Sequence, residues 1–204
     1  IEDRTIINFA VQPFDFKDGN EFKQLNILLG SQRMFIDDKN LIWLPGKIYE
    51  KGSWGNLGGE VFKAKGNSRQ SYGTDKNILG TTNDPIYQTQ LIGLEGYQLD
   101  VPAGKYSLTL HFADLEGTGV SNLPYNLDSL IATNNQIPEQ RIFVVLLNDK
   151  VVIKDLNLAA TYGALNTVTK VFECVVTDDK GIRISFKNAK SKAVLNAIQL
   201  KRIK

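Results

Sequence analysis

The sequence predicts an all-β fold, a β-sandwich of the jelly-roll type, from three features of the chain. Short apolar or alternating runs recur along the second half at roughly ten-residue intervals. Polar turn sequences separate these runs, and no stretch keeps a helical period. Because antiparallel sandwiches have this spacing and commonly reach the 204 residues found here, we expect one main domain.

The strands of the second half are predicted from alternation and from turn residues. In GKYSLTLHF, large apolar residues alternate from Tyr106 to Phe112 with smaller or more polar ones, as in a strand buried on one face. The runs RIFVVLLND and KVVIKDLNL flank a polar turn at residues 148–150, which predicts a hairpin. TVTKVFECVVTD and GIRISFKN flank residues 178–181 in the same arrangement, and AVLNAIQLKRI supplies a last strand.

The first half is predicted to be less regular. FKQLNILLGS and GYQLDVP read as strands, whereas residues 37–84 and 114–140 lack the strand pattern. Because long irregular segments of compact domains commonly carry function, we expect binding residues in these two segments. Residues 1–21 are predicted to form an N-terminal extension or a linker from an upstream domain, and residues 22–204 to form the sandwich.

Composition and charge exclude several classes of partner. Hydrophobic residues make up 42% of the chain, which is enough to build a core. The net charge of +2 does not indicate a nucleic-acid partner, which would need clustered basic residues. No apolar run approaches the roughly 20 residues of a membrane-spanning helix, so we expect no membrane partner.

The residue types that catalysis requires are single or unpaired in this sequence. His111 is the one histidine, and its mid-strand position predicts a residue on the less buried face of a sheet. Cys174 is the one cysteine, and its apolar strand neighbours predict a small core residue. No pair of carboxylates is marked for glycoside hydrolysis. We therefore predict no catalytic residue, no metal ligand and no cofactor, and leave open a structural calcium ion.

The glycine-rich stretch KGSWGNLGGEVF could form a phosphate cradle or surround an exposed indole. A cradle needs glycine spacings before a helix that this stretch lacks. A sugar site instead needs aromatic planes for the C–H face of the ring, with amides or carboxylates for the hydroxyls. The irregular segments supply both, although capping of the core is the alternative for the indole. The predicted sugar-binding residues are Tyr72, Tyr87, Asp75, Gln88, Trp54 and Tyr125.

The order of motifs along the chain resembles that of a known family. ILLGSQRMFIDD, SYGTDKNIL, NDPIYQTQ, GYQLDVPAGKYSLTLHFADLEG, RIFVVLLNDKVVIKDLNL and AVLNAIQL follow one another as in the malectin carbohydrate-binding domains. The sequence is most similar to malectin-like modules of bacterial glycoside hydrolases of the β-galactosidase type. The resemblance covers residues 22–204 and implies a lectin-type sandwich that binds glucose-type disaccharides at its loop edge.

The resemblance also implies which residues contact sugar. Tyr72 and Tyr87 match family positions with that role. Residues 116–117, Glu-Gly, stand where the family prototype has an aromatic pair, and residues 191–192, Ser-Lys, stand near an acidic contact. Because of these departures, the sugar preference of the prototype is not carried over to this sequence, whereas the fold is. Within the long segment that follows, Tyr125 and Asp128 are candidates to replace the lost contacts.

From these observations we expect a non-catalytic carbohydrate-binding module of a larger bacterial glycoside hydrolase, located in the periplasm or outside the cell. Its partners would be an oligosaccharide or polysaccharide and the upstream catalytic domain of the same polypeptide. The alternative is a structural sandwich that packs on the catalytic domain or on a partner without binding sugar. We expect no hydrolase activity from this chain alone.

Overall fold

The computed structural model describes residues 23–64, 72–116 and 141–203. The predicted extension at residues 1–21 and the candidates Tyr125 and Asp128 lie outside these ranges. The described residues form twelve β-strands, one short α-helix and one 3₁₀ turn. Neither helical element has the length or the apolar character to cross a membrane, within the ranges described.

The secondary structure is dominated by strands. The strands are β1 (Gln24–Leu28), β2 (Phe35–Ile36), β3 (Ile42–Pro45), β4 (Trp54–Val61), β5 (Leu91–Leu99), β6 (Gly104–Phe112), β7 (Ile142–Leu147), β8 (Lys150–Asn157), β9 (Val168–Val176), β10 (Ile182–Lys190), β11 (Val194–Leu195) and β12 (Ala197–Arg202). Helix α1 spans Leu158–Tyr162, and the 3₁₀ turn spans Asp84–Ile86. The side chain of Asn157 caps α1 by accepting a hydrogen bond from the Ala160 amide.

The strands form two sheets that enclose one core. The first sheet has the order β2-β3-β1-β12-β6-β9. The second has the order β11-β5-β10-β7-β8, and β4 also pairs with β5. Both sheets contribute large side chains to the core, including Tyr97, Tyr106, Phe112 and Phe143. Burying each such side chain stabilises the fold by about 1.5–3 kcal/mol. The prediction of an all-β sandwich is confirmed.

The predicted hairpin at residues 148–150 is confirmed. β7 and β8 pair antiparallel around Asn148 and Asp149, whose φ angles are 44° and 65°. Two successive residues with positive φ match the twist of the flanking strands, and Asn and Asp tolerate this conformation better than most residues.

The second predicted hairpin, around residues 178–181, is wrong. β9 pairs with β6 in the first sheet, whereas β10 pairs with β5 and β7 in the second. The turn therefore carries the chain from one sheet to the other. Gly181 has a φ of +66°, and a Cβ there would collide with the Leu99 carbonyl oxygen, so the crossing requires glycine. Alternation predicts the buried face of a strand but not its partner, because both arrangements bury one face.

The absence of strands predicted for residues 37–84 is also wrong, because β3 and β4 lie there. The stretch that looked like an exposed glycine loop is β4, paired along its length with β5. Its register shifts between Leu57 and Gly58, and Gly58 and Gly59 have φ angles of 67° and 96°. Glycines without side chains conceal the alternation, and their positive φ angles produce a bulge.

A second, smaller group of buried side chains lies on the outer face of the first sheet. Leu28 and Ala197 are paired neighbours in β1 and β12, and they point away from the main core. The segment that contains the 3₁₀ turn covers them with Ile78, Ile86 and Tyr87. We call this group the outer cluster; its buried members are Leu28, Trp43, Phe62, Ile78, Ile86, Tyr87, Ala113, Leu115 and Ala197. It holds the irregular segments that form the candidate site.

Candidate functional site

Three irregular segments converge on one cavity of 410 Å³ at one end of the sandwich. They are the turn after β1, the residues around Gly73 and the residues that follow the 3₁₀ turn. These segments correspond to the motifs ILLGSQRMF, SYGT and DPIYQT, which are far apart in the chain. The fold therefore brings together three of the stretches that carry the family resemblance.

Gly73 places the Tyr72 side chain beside Gln88. Its amide donates to the Phe62 carbonyl at 2.8 Å, and the Thr74 amide donates to the Gln88 carbonyl at 2.9 Å. Gly73 has a φ of +73°, and a Cβ there would lie 2.7 Å from the Gln88 carbonyl oxygen. Because a side chain at this position would be both strained and obstructed, the close approach of the two segments depends on glycine.

The lining of the cavity combines apolar and polar groups. The apolar groups come from Met34, Phe35, Pro85 and the half-buried Tyr72 ring. These surfaces can pack against the C–H face of a ligand ring.

The polar groups of the lining include Ser31, Thr74, Gln88 and Thr89. Gln88 donates a hydrogen bond from its side-chain amide to the Lys76 carbonyl at 3.0 Å, which orients that amide. The Thr89 hydroxyl is buried and has no hydrogen-bond partner among the described residues.

Tyr87, predicted to contact sugar together with Tyr72 and therefore expected to be exposed, is buried, with 5% of its surface exposed. Its hydroxyl lies 2.9 Å from His111 Nδ1 and 3.1 Å from Thr169 Oγ1. The 3₁₀ turn directs Ile86 and Tyr87 inward, where they cover the outer face of the first sheet. The expectation of an exposed Tyr87 ring is therefore wrong, and burial raises the pKa of its hydroxyl.

His111 and Trp43 complete the packing around Tyr87. The Trp43 ring meets the His111 ring edge-on at 5.5 Å, and its Nε1 donates to Asp37 Oδ2 at 3.0 Å. Burial lowers the pKa of His111 to about 4, so the imidazole is neutral at pH 7. Burial also acts to raise the pKa of Asp37, but hydrogen bonds from Trp43 and two backbone amides outweigh it, and the pKa is lowered. The contacts among Trp43, His111 and Tyr87 join strands β3 and β6 to the segment that contains the 3₁₀ turn.

Trp54, the other predicted aromatic, belongs to the main core. Its ring is 5% exposed, and the Lys47 ammonium lies 4.9 Å from the ring centroid. The alternative interpretation, that this indole caps the core, is the one the structure supports. Asp75 is exposed and does not line the cavity. Of the predicted residues, Tyr72 and Gln88 lie together at the cavity.

A smaller cavity of 200 Å³ adjoins the first, because Thr74 lines both. Glu116 stands on its wall, at the position where the family resemblance implies aromatic residues. Arg141 forms ion pairs with Glu116 and, at 3.5 Å, with Asp114. The carboxylate of Glu116 is thereby held at the edge of the candidate site by a buried guanidinium.

A third cavity, of 780 Å³, lies at the other end of β5. The turn residues Asn148, Asp149 and Gly181 line it, with Asp100 and Arg183. The Tyr49 hydroxyl donates to Asp100 Oδ2 at 2.7 Å, and this hydrogen bond raises the pKa of Tyr49 to about 12. The described residues contain no group of three or more His, Cys, Asp or Glu side chains placed to hold a metal ion.

The profile of the malectin domain matches residues 26–201. The chain belongs to the malectin family. Malectin domains are of a carbohydrate-binding type and non-catalytic. No curated protein sequence matches the chain significantly.

Solved structures that resemble this malectin domain include parts of larger proteins. Bacteroides uniformis β-glucuronidase is 27% identical with a TM-score of 0.69, over 89% of this chain and 18% of that one. A calcium-binding mutant of B. uniformis β-glucuronidase 2 is 26% identical with a TM-score of 0.72, over 92% and 19%. The malectin domain thus spans about a fifth of the length of these enzymes.

A plant structure shares the fold at lower identity. The extracellular domain of ANXUR1 from Arabidopsis thaliana is 14% identical with a TM-score of 0.59, over 89% of this chain and 42% of that one. At this level of identity the similarity shows the fold alone.

Sequence reasoning missed most of the cavity wall. Ser31, Arg33, Met34 and Phe35 belong to the ILLGSQRMF motif, but the motif contributed no site residue to the prediction. Their position in a short irregular stretch between two strands could have indicated a site. This stretch begins next to Gly30, which has a φ of +75°.

Proposed function

We propose that this malectin domain binds a saccharide in the cavity between its three irregular segments. The observation that carries the proposal is the half-buried ring of Tyr72 beside Gln88 in a cavity with both apolar and polar walls. Its volume of 410 Å³ lies within the usual range for small-ligand sites.

In the proposed complex each wall has a separate role. The Tyr72, Phe35 and Met34 surfaces pack against C–H groups of the sugar, where desolvation is favourable. The Gln88 amide and the Thr74 hydroxyl exchange hydrogen bonds with the sugar hydroxyls. Two aromatic rings and a few polar groups support weak binding, since ordering and desolvation offset much of the gain.

We further propose that the domain belongs to a larger bacterial glycoside hydrolase that is periplasmic or secreted. The similarity to B. uniformis β-glucuronidase, at 27% identity over 18% of that chain, supports a parent enzyme of the β-glucuronidase or β-galactosidase type. A weak binding module increases activity on a polymeric glycan by holding the catalytic domain close to it. In this arrangement the chain contributes binding, and the upstream domain contributes catalysis.

A second candidate function is structural. Two of the aromatic residues predicted to bind sugar, Tyr87 and Trp54, are buried and stabilise the fold instead. A domain whose aromatic residues only stabilise its own fold would not bind sugar. It would instead pack against the catalytic domain. The two candidates differ in whether the isolated chain binds sugar.

Nuclear magnetic resonance titration of the chain with maltose, a β-galactoside and a β-glucuronide tests the proposal. Tyr72→Ala should weaken binding by roughly fivefold, because it removes about 1 kcal/mol of ring contact. Tyr162→Ala is the matched control, since Tyr162 is an exposed tyrosine on α1 that does not line the cavity. Tyr87→Phe should lower stability while leaving binding nearly unchanged. Equal affinities for Tyr72→Ala and the parent chain, or no binding by either, would contradict the proposal.

A further inference from the structure

The charge of the cavity wall indicates which saccharides the proposed site prefers. Among the residues that line the cavity, Arg33 is the charged one. Its guanidinium is exposed and has no carboxylate partner within the described residues. Among the described residues, the wall therefore presents one positive charge without an ion-pair partner, at the cavity that the Tyr72 ring also lines.

The carboxylates nearest to Arg33 along the chain are occupied elsewhere. Asp37 accepts hydrogen bonds from Trp43 Nε1 and from the Leu41 amide. Asp38 accepts from the Asn83 side chain at 3.0 Å. Neither residue lines the cavity, so the positive charge of Arg33 acts on the ligand rather than on an internal partner.

The backbone of Arg33 is held in place by its neighbour Ser31. The Ser31 hydroxyl accepts a hydrogen bond from the Arg33 amide at 3.1 Å and donates one to the Arg33 carbonyl at 2.9 Å. These two bonds close a compact turn that presents the arginine side chain at the rim of the cavity. Part of the cost of ordering this segment on binding is therefore met before the ligand arrives.

The exposed guanidinium of Arg33 at the rim of the cavity is available to an anionic group. Arginine recognises carboxylates through a planar fork of N–H donors, which gives directional as well as electrostatic selectivity.

We propose, on the basis of the proposed sugar site, that this cavity prefers acidic saccharides, with Arg33 contacting the carboxylate of a uronic acid. The Tyr72 ring packs against the uronic acid ring, and Gln88 binds its hydroxyls. Arg33 is thus the residue that determines specificity between uronic acids and their neutral counterparts. The smaller, adjoining cavity carries the carboxylate of Glu116 and is not part of this contact.

The test compares methyl β-D-glucuronide with methyl β-D-glucoside, which differ only in the carboxylate or hydroxymethyl group at C6. In titrations of the 204-residue chain followed by nuclear magnetic resonance, the glucuronide should bind about two- to fivefold more tightly. Raising the ionic strength should reduce this ratio, because the arginine is exposed. Arg33→Gln should bring the ratio to about one, because it removes the positive charge that favours the glucuronide.

Two further variants locate the effect. Arg33→Lys keeps the charge without the planar fork and should retain part of the preference. Arg183→Gln is the matched control, because Arg183 lines the third cavity at the other end of β5; it should leave the ratio unchanged.

The outcomes separate this inference from the function on which it rests. Equal binding of the two glycosides, or a preference that survives Arg33→Gln, would overturn the acidic preference and leave the sugar site standing. Loss of the preference in Arg183→Gln would also overturn it. If neither glycoside, nor maltose or a β-galactoside, shifts resonances of the cavity residues, the sugar site itself is wrong.

Discussion

The hydroxyl of Tyr87 joins residues that are distant along the chain. It lies within hydrogen-bond distance of His111 on β6 and Thr169 on β9, and its ring packs edge-on against the His111 ring at 5.6 Å. Each neutral hydrogen bond of this kind contributes about 1 kcal/mol net. The Tyr72 ring, in contrast, lines a cavity. The roles of the two tyrosines are therefore separable by mutation.

We expect the domain to lose stability in mild acid, because His111 is buried in its neutral form. Burial lowers its folded pKa to about 4 from an ordinary value of 6.5, so between these pH values the unfolded chain binds the proton and the folded chain does not. The free energy of unfolding should therefore be fully maintained above pH 6.5 and fall by about 2–3 kcal/mol as the pH approaches 4. Urea denaturation across this range measures the change.

His111→Gln provides the comparison for that pH dependence. The chain has one histidine, so the variant removes the only side chain with an ordinary pKa near 6.5, while the carboxylates titrate in both proteins. The variant should be less stable at pH 7 but show a shallower slope between pH 6.5 and 4. Identical slopes for the two proteins would show that His111 does not control this window.

At the scale of elements, β6 and β7 are joined through a buried cluster of charges. Asp114 and Glu116 follow β6, and Arg141 directly precedes β7. The side chains of Arg141 and Asp114 are 7% and 3% exposed. The Asp114 carbonyl also accepts a hydrogen bond from the Leu165 amide at 3.0 Å. The cluster therefore holds both flanks of residues 117–140 against the sandwich.

Arg141→Ala should destabilise the domain by about 3–5 kcal/mol, because it removes the buried guanidinium that pairs with the Asp114 and Glu116 carboxylates. Adding Asp114→Asn should recover part of this loss by removing a buried negative charge. Lys180→Ala is the control for an exposed pair, since Lys180 and Asp178 are 89% and 55% exposed, and it should cost less than about 1 kcal/mol. Urea denaturation checks all three; a loss below 1 kcal/mol in Arg141→Ala would contradict a stabilising role.

The strands that the sequence predicts correctly are those with regular alternation. β6 and the β7–β8 hairpin follow directly from side-chain period and turn residues. β4 could not be recognised in this way, because its glycines carry no side chains and create a bulge. Likewise, the sequence around residues 178–181 predicts a reversal of direction, but not whether the reversal stays within one sheet.

At the scale of the whole molecule, the two ends of the sandwich differ in character. One end holds the cavity of Tyr72, Gln88 and Arg33, while the other holds the larger cavity near Asp100 and Arg183. The proposed sugar binds at the end that holds Tyr72, Gln88 and Arg33.

Deletion of this domain from a glycoside hydrolase that contains it should separate the two candidate functions. For a binding module, the rate on a small chromogenic glycoside should change by less than about twofold, and the rate on a polymeric glycan should fall several-fold. Tyr72→Ala within the full enzyme should reproduce the second effect without lowering its melting temperature. Equal losses on both substrates, with a lower melting temperature after deletion, would support the structural alternative.

The sequence by itself determined the all-β class, most strands and the family, because these follow from local periodicity and from the order of motifs. It also identified Tyr72 and Gln88 as neighbours of a candidate site. Only the tertiary structure decided that Tyr87 and Trp54 are buried and that Arg33 reaches the cavity. The physical reason is that exposure of a side chain depends on what packs over it, and here the covering residues come from strands distant in the chain.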